Sequence, residues 1–529
     1  MKIFSAKQIY TADKATLKNQ GITSDALMER ASVRLFDWMH LRMQGDPAKI
    51  HLFCGIGNNG GDGLALARHL QENGYTIAIY VVDYSQKRSN DFLKNLKRLE
   101  EGNTTPIILG KGDDLPEIGK DDIVVDAIFG LGLNRPPEAW IADLFEHLHH
   151  SKAFTLSVDI PSGLYTDNVP ENEKQVVKAS YTLTFQVPKL VFFLPQTGIY
   201  SQQWEILDIG LDPDFLANTE TDYELIGKQE VLKFYIPREK YTHKGTYGHS
   251  LIIGGSYGKI GAVYLAAQAC LQTGSGLVTG YVPRCGYIPL QTHFPEAMVI
   301  TDADDTHISD IDFDISPTVI GIGPGMGKDK KTAKAFAEFL DTNDIPLVID
   351  ADGLNMLSEN KALLNTLPPK TVLTPHPKEL QRLIGKWNGD FDKLDKTRAF
   401  SKKYDCVMVI KGSNTITMYG GKGYVNTTGN PGMATGGTGD VLTGMITALI
   451  AQGYEPLHAA IFGVYLHGRA GDIMVGKTGY QALTASGVVK GIGEAFLDLF
   501  RGTEKFPSEK EQGLGRQNNL DTTPVPDPG

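Results

Sequence analysis

Apolar residues recur at helical spacing through Leu27, Met28, Val33, Leu35 and Phe36, in a stretch that opens at Ser5 and runs to residue 43. Residues three and four apart share one helix face, and a serine hydroxyl satisfies first-turn amides, so Ser5 is the expected N-cap of a leading helical segment. The pattern then changes to short runs rich in β-branched and aromatic residues, separated by helical stretches: IHLFC (50–54), TIAIYVVD (76–83), DIVVDAIFG (122–130), FTLSVDIP (154–161), YTLTFQVP (181–188) and WEILDIG (204–210). Runs that are apolar on both faces predict a parallel sheet covered by helices on each side.

From residue 211 the periodicity breaks into DPDFLANTETDYE, and a second series of strand-like runs follows it. These are HSLIIGG (249–255), LVTGYVP (277–283), TVIGIGPG (318–325), PLVIDADG (346–353), TVLTPHP (371–377), CVMVIKG (406–412) and NTITMYG (414–420), with an apolar helix expected over 441–451. A chain of 529 residues exceeds what one core organises, roughly 250–300 residues. The expected organisation is therefore α/β, with two three-layer αβα domains at 1–216 and 228–502, a linker at 217–227 that lets the halves fold separately, and a disordered tail at 503–529.

Composition narrows the partners. With 41% hydrophobic residues, 21% charged residues and 58 glycines the chain reads as a globular protein, and its net charge of −11 argues against nucleic acid or an anionic membrane. The four cysteines, Cys54, Cys270, Cys285 and Cys406, form no C-x-x-C pair, so neither disulfides nor zinc are expected. MKIFSAKQIYTADK has no apolar leader, and no apolar run reaches the roughly 18–20 residues of a membrane span, so a cytoplasmic location and a small-molecule ligand are expected.

Ligands of open parallel sheets bind beyond the carboxyl ends of the strands. Three runs end in polar clusters there: IHLFC enters GIGNNGGDG (55–63), DIVVD ends at Asp126 before FGLGLNRP (129–136), and TLSVD ends at Asp159 before IPSG (160–163). Asn59, Asp62, Asp126, Asp159 and Ser162 are thereby expected in one crevice, where glycines 57, 60, 61 and 63 let backbone amides approach a pyrophosphate. Gly55 to Gly60 also satisfies G-x-G-x-x-G and Asp83 ends the next strand, so the segment alone equally permits an NAD-dependent dehydrogenase or a plain tight turn.

NNGGDG, DAIFGLGL and VDIPSG, at these separations, resemble the amino-terminal domain family of NAD(P)HX epimerases over residues 1–216. The resemblance implies a Rossmann-like fold in which Asn58, Asn59, Gly60, Gly61 and Asp62 hold a hydrated dinucleotide. It extends that contact to Gly130, Leu131, Gly132, Leu133, Asn134, Arg135 and Pro136, and to Asp159 as substrate contact and acid/base group. It further implies potassium on Asn59, Asp126 and Ser162, hard oxygen donors suited to an alkali cation. Members of this fold also act as non-catalytic scaffolds, so fold alone does not establish activity.

GNPGMATGGTGDVLTG (429–444) is the densest motif. Gly436, Gly437 and Gly439 free the amides at the start of the 441–451 helix for an anion, and Asp440 beside them suits a proton acceptor better than a phosphate ligand. Lys411 offers a positive charge to phosphate, and His376 stands between two prolines on a rigid turn. Together with GIGPGMG (321–327), DADGLN (350–355), TPHPKE (374–379), KGSNT (411–415) and the 243–267 segment, the loop resembles the ribokinase-like domain of ADP- or ATP-dependent NAD(P)HX dehydratases over 228–500. The resemblance implies dinucleotide contacts at Ala262, Gly325, His376 and Asp440. It implies nucleotide contacts at Lys411, Gly412, Ser413, Asn414, Thr415 and Gly439, with magnesium carried by ADP or ATP, and a homo-oligomer. GDIMVGKT (471–478) matches a Walker A pattern by letter, but the residues before it have helical spacing and no strand, so no P-loop is expected.

These resemblances imply one pathway. A reduced nicotinamide hydrated at C6 exists as two epimers, which the first half interconverts. The second half phosphorylates the C6 hydroxyl of the S epimer, with Asp440 as base, and the ring nitrogen expels phosphate to restore NAD(P)H. The competing reading is a ribokinase-type small-molecule kinase fused to a dinucleotide-binding scaffold.

Overall fold

The computed structural model describes residues 1–43, 45 and 47–502; the tail expected at 503–529 lies outside the described residues. The leading helix Ala6–Gln20 begins where expected, with Ser5 and Gln8 forming a reciprocal capping box. After a second helix, Ser24–Met43, the first unit forms a seven-stranded sheet. Its order is Ile107–Leu109, Ile77–Val82, Ile50–Cys54, Ile123–Ala127, Phe154–Val158, Tyr181–Phe185, Trp204–Leu207, and every pairing is parallel. Ile50–Cys54 is buried along its whole length, which is why its sequence shows no alternation. The chain winds outward in one direction from Ile50–Cys54 and in the other from Ile123–Ala127. Between them lies the topological switch point, where loops diverge and a crevice opens.

The second sheet has eleven strands, in the order Lys2–Ile3, Tyr223–Ile226, Lys422–Asn426, Ile416–Tyr419, Val407–Ile410, Val372–Leu373, Leu347–Ile349, Val319–Ile322, His249–Ile253, Leu277–Val282, Met298–Thr301. Its switch point falls between His249–Ile253 and Val319–Ile322, both in parallel register. Val407–Ile410, Ile416–Tyr419 and Lys422–Asn426 form an antiparallel meander at one side. The Walker-like residues 471–478 lie inside the helix Pro456–Thr478, as their spacing predicts. Among the described residues, no helix is long and apolar enough to cross a membrane.

The expected linker at 217–227 is not a linker. It holds the end of the helix Pro213–Asn218 and the strand Tyr223–Ile226, which pairs in parallel with Lys422–Asn426. Lys2–Ile3, placed by the sequence in the first domain, adds antiparallel to that strand, and the N-terminal amine meets Glu230 at 2.9 Å. Tyr223, Leu225 and Ile226 are buried, but flanking polar residues mask their alternation in the sequence. The units also share a core. Val191, Phe192, Phe193 and Leu194 of the first belong to one apolar cluster with Leu251, Ile320, Ile349 and Met408 of the second. Gln196 and Asp390 exchange two hydrogen bonds across the junction, at 2.9 and 2.7 Å.

Freely separable halves are therefore not the expected result. A fragment ending at 216 uncovers the 191–194 cluster, and burial of each such side chain contributes about 1.5–3 kcal/mol. A fragment beginning at 228 loses Tyr223–Ile226 from the sheet. Both are expected to melt well below the intact chain and to aggregate. Thermal unfolding of a 228–502 fragment at or above the temperature of a 221–502 fragment would contradict this.

Candidate active sites

At the first switch point the helix Asn58–Glu72 starts from Gly57, which gives it no side-chain cap, and its first intrahelical bond runs from the Gly61 amide to the Gly57 carbonyl at 3.0 Å. The amides of Asn58, Asn59 and Gly60 precede that bond, so they form an anion-binding helix end. A Cβ on Gly60 would lie 1.7 Å from the Gly55 carbonyl oxygen, so the turn closes only with glycine there. The loop borders a cavity of about 590 Å³. Asn58, Asn59, Asp62, Asp159 and all of Gly130 to Pro136 lie on its wall as the sequence predicts. Gly60 and Gly61 do not: Gly60 packs against the Gly55 carbonyl, and the Gly61 amide is committed to Gly57 with its α-carbon against the Met28 thioether.

Asp159 ends Phe154–Val158 with φ +65°, a conformation that costs a non-glycine residue about 1–3 kcal/mol. Four donors or tethers hold it there. Its amide donates to the Leu183 carbonyl at 2.7 Å, while its Oδ1 accepts from the Phe185 amide at 2.9 Å, the Thr184 hydroxyl at 3.3 Å and the Lys189 ammonium at 2.5 Å. Lys189 is 1% exposed, so this is a buried ion pair. Oδ2 of Asp159 has no such partner among the described residues and is left for a ligand.

Asp126 and Ser162 were expected in the crevice; both are instead fully buried beneath it. The Asp126 carboxylate accepts from the hydroxyls of Ser157 and Ser162 and from the Ser162 amide, at 2.5–2.8 Å. Burial nevertheless raises its pKa above the ordinary range. Ser162 Oγ also approaches the Phe129 carbonyl at 3.3 Å, and Asn59 donates to that carbonyl at 3.1 Å. Asn59 and Ser162 thus meet at one backbone oxygen, and Asp126 joins them through Ser162, with no cationic side chain paired to its carboxylate among the described residues.

At the second switch point Gly437, with φ +92°, turns the chain into the helix Thr438–Ala451 without a side-chain cap, and Asp440 stands in its first turn. Asp350, which ends Leu347–Ile349 and is 1% exposed, accepts from Lys411 at 2.7 Å and from the Thr443 hydroxyl at 2.8 Å. Lys411 is therefore both the expected phosphate-facing cation and the counter-charge of Asp350. Burial, with Asp350 beside it, pushes the Asp440 carboxyl up to about 7 against the pull of Lys411. Burial likewise pushes Glu379 up to about 7. His376 caps the helix Pro377–Ile384, its Nδ1 accepting from the Lys378 amide at 3.1 Å, and burial with the Lys411 charge lowers its pKa. Gly325, φ +61°, sits against Ala262, whose Cβ would lie 3.1 Å from an added side chain. Gly439 faces Lys411, so KGSNT and the glycine loop meet. Asn414 is shared with the first unit, donating to the Phe193 carbonyl at 3.3 Å.

Sequence reasoning assigned no role to Asp350, Glu379 or Lys189. For Asp350 a signal existed in its strand-end position; Lys189 announces itself only by its partner, 30 residues earlier.

Comparison with known proteins bears on both sites. Residues 250–492 match the family model described as NAD(P)H-hydrate dehydratase, and residues 24–191 match that described as YjeF-related protein N-terminus. The chain is 33% identical over 98% of its length to the bifunctional NAD(P)H-hydrate repair enzyme Nnr of Moorella thermoacetica, covering 100% of that protein. It is 31% identical to the same enzyme of Escherichia coli K12, covering 92% of each chain. A solved ADP/ATP-dependent NAD(P)H-hydrate dehydratase of Bacillus subtilis, co-crystallised with ATP/Mg2+, aligns with 52% of this chain and 97% of that one at TM-score 0.45 and 26% identity.

Proposed function

Because the chain belongs to the family of bifunctional NAD(P)H-hydrate repair enzymes, we propose that its cavity at the first switch point epimerises hydrated NADH and NADPH, and that the site around Asp440 dehydrates the S epimer. The observation that carries this reading is the duplication of one arrangement. Each unit sets an uncapped helix end beside a carboxylate at its switch point, so each holds a phosphate-bearing ligand next to a proton acceptor.

In the first site the amides of Asn58 to Gly60 receive the pyrophosphate, and Asp159 Oδ2 faces the C6 hydroxyl. Lys189 fixes the other oxygen of Asp159 through the buried ion pair. In the second site Asp440 takes the proton of the C6 hydroxyl as it attacks the terminal phosphoryl group of a magnesium nucleotide. The glycine loop and Lys411 hold the phosphates; the ring nitrogen's electron pair then expels phosphate from C6, and loss of a C5 proton forms the C5–C6 double bond of NAD(P)H. ADP is the proposed donor. A stoichiometric test separates this from a kinase: with S epimer and nucleotide, inorganic phosphate should appear in step with NAD(P)H, whereas a kinase leaves phosphate on the product. The free thiols of Cys54, Cys270, Cys285 and Cys406 fit a reducing compartment, which supports a cytoplasmic location.

Asn59, Asp126 and Ser162 would hold potassium, which supplies positive charge under the pyrophosphate loop. One carboxylate among neutral oxygens suits a monovalent ion better than a tightly held divalent one. Epimerisation is expected to slow when potassium is replaced by tetramethylammonium at equal ionic strength, and to be restored by potassium but not magnesium. Equal rates in both salts would remove the ion from the account.

A further inference from the structure

The leading helix Ala6–Gln20 lies before residue 24, where the matched region begins, yet it closes one wall of the first cavity with Ile9, Tyr10, Asp13 and Leu17. We propose that Asp13 is the second proton-transfer group of the epimerase, acting opposite Asp159 across the cavity. The inference rests on reading that cavity as the epimerase site.

The geometry singles out Asp13. Among the described residues its carboxyl makes no hydrogen bond or ion pair, although it faces a cavity whose other carboxylate, Asp159, is held by several. The helix that carries it is fixed rather than loose: Thr16 accepts from the Asp212 amide at 2.8 Å and Asn19 donates to the Asp212 carboxylate at 3.0 Å. An unpartnered carboxyl on an anchored helix is poised toward the cavity contents.

The chemistry requires two groups. C6 carries both the hydroxyl and the ring nitrogen, so its configuration inverts if the C6–N1 bond opens and closes again. Asp159 takes the hydroxyl proton as the C6–N1 electron pair moves onto N1, and C6 becomes an aldehyde carbon. N1, whose charge spreads into the conjugated carboxamide, takes a proton from Asp13. After rotation about C5–C6, Asp13 recovers that proton as N1 attacks the other carbonyl face, and Asp159 returns its proton to the oxygen. Every bond and proton is restored except for the configuration at C6.

Charges around Asp13 fit a donor that is also an acceptor. Tyr10 and Lys14 come from its own helix, Asp62 and Asp91 from the helices Asn58–Glu72 and Asn90–Glu101, and Asp159 with Lys189 from the segments that follow the strands Phe154–Val158 and Tyr181–Phe185. Burial and Asp159 push Asp13 up to about 6, with Lys189 opposing. Asp62 is held well above the usual carboxylate range by burial and then by Asp159, Asp13 and Asp91. Asp159 is tied down by three donors on Oδ1 and Asp13 by none among the described residues, so the two carboxyls present themselves differently to the cavity.

The test uses the full-length chain and purified R epimer without nucleotide. Asp13→Asn is expected to lower the epimerisation kcat by about 10²-fold or more and to abolish the alkaline fall of the wild-type pH profile near Asp13's value. Dehydration of S epimer by the same variant should be unchanged, which verifies folding. If the Asn variant does not fold, Asp13→Glu decides: the alkaline limb must move, and an unmoved limb overturns the proposal, as does wild-type kcat in Asp13→Asn. Asp159→Asn run in parallel separates the two claims. Loss of activity there with wild-type Asp13→Asn overturns only this inference, whereas full activity in Asp159→Asn overturns the reading of the site itself.

Discussion

Replacing Asp440 with asparagine is expected to lower dehydration turnover by about 10²–10⁴-fold, the usual contribution of a general base, while nucleotide affinity changes little. Asparagine keeps the size of the side chain at the head of Thr438–Ala451 and removes only its ability to accept a proton. The pH dependence has a definite sign. The proposed base must be ionised to act, and burial and Asp350 push the Asp440 carboxyl up to about 7, so wild-type turnover should rise with pH through that value and then level. The stability effect runs the other way. A carboxyl whose folded pKa is raised contributes stability below its unfolded pKa and loses it as pH climbs through the folded one. At pH 8 the asparagine variant should accordingly melt no lower than the wild type. A residue with a purely structural role would give the opposite pair of results, a lowered melting temperature and retained turnover per folded molecule.

Lys189→Met should have the largest effect on stability. Methionine fills most of the space of the lysine stem but leaves Asp159 facing a buried site without its counter-charge, and breaking such a pair from one side costs about 3–5 kcal/mol. Epimerisation should fall with it, since Asp159 Oδ1 keeps only the Phe185 amide and the Thr184 hydroxyl of its three donors. The double variant Lys189→Met/Asp159→Asn removes the stranded charge and should regain much of the stability, but none of the activity. Denaturant titration of the three proteins distinguishes a buried ion pair from a lysine that merely fills space, for which the double variant would be no more stable than Lys189→Met.

Much of this was legible because strands that end in polar residues declare themselves in sequence. Asn59, Asp62 and Asp159 follow buried runs, and the G-G-T-G-D loop sits at the head of an apolar helix, so local pattern and function coincide. What escaped depends on tertiary proximity. Lys2–Ile3 is too short to show any period, and it pairs with a strand far along the chain, Lys2 opposite Glu224 and Ile3 opposite Tyr223, joining the two expected domains. Asp13 lies on an ordinary amphipathic helix, where an aspartate reads as a solvated face until the fold turns it toward a cavity. Asp126 and Ser162, expected to share the crevice with Asn59, lie buried beneath it, because a strand-end residue points either into the crevice or under it and the sequence does not distinguish the two.

The most direct measurement supplies R epimer alone to the intact protein and follows the absorbance of the reduced nicotinamide. Without nucleotide a mixture of epimers and no NAD(P)H is expected. With magnesium ADP, or ATP, complete conversion to NAD(P)H is expected, with one phosphate released per molecule repaired, because the first site must feed the second. R epimer that persists in the presence of nucleotide, or a phosphorylated dinucleotide that accumulates in place of NAD(P)H, would contradict this.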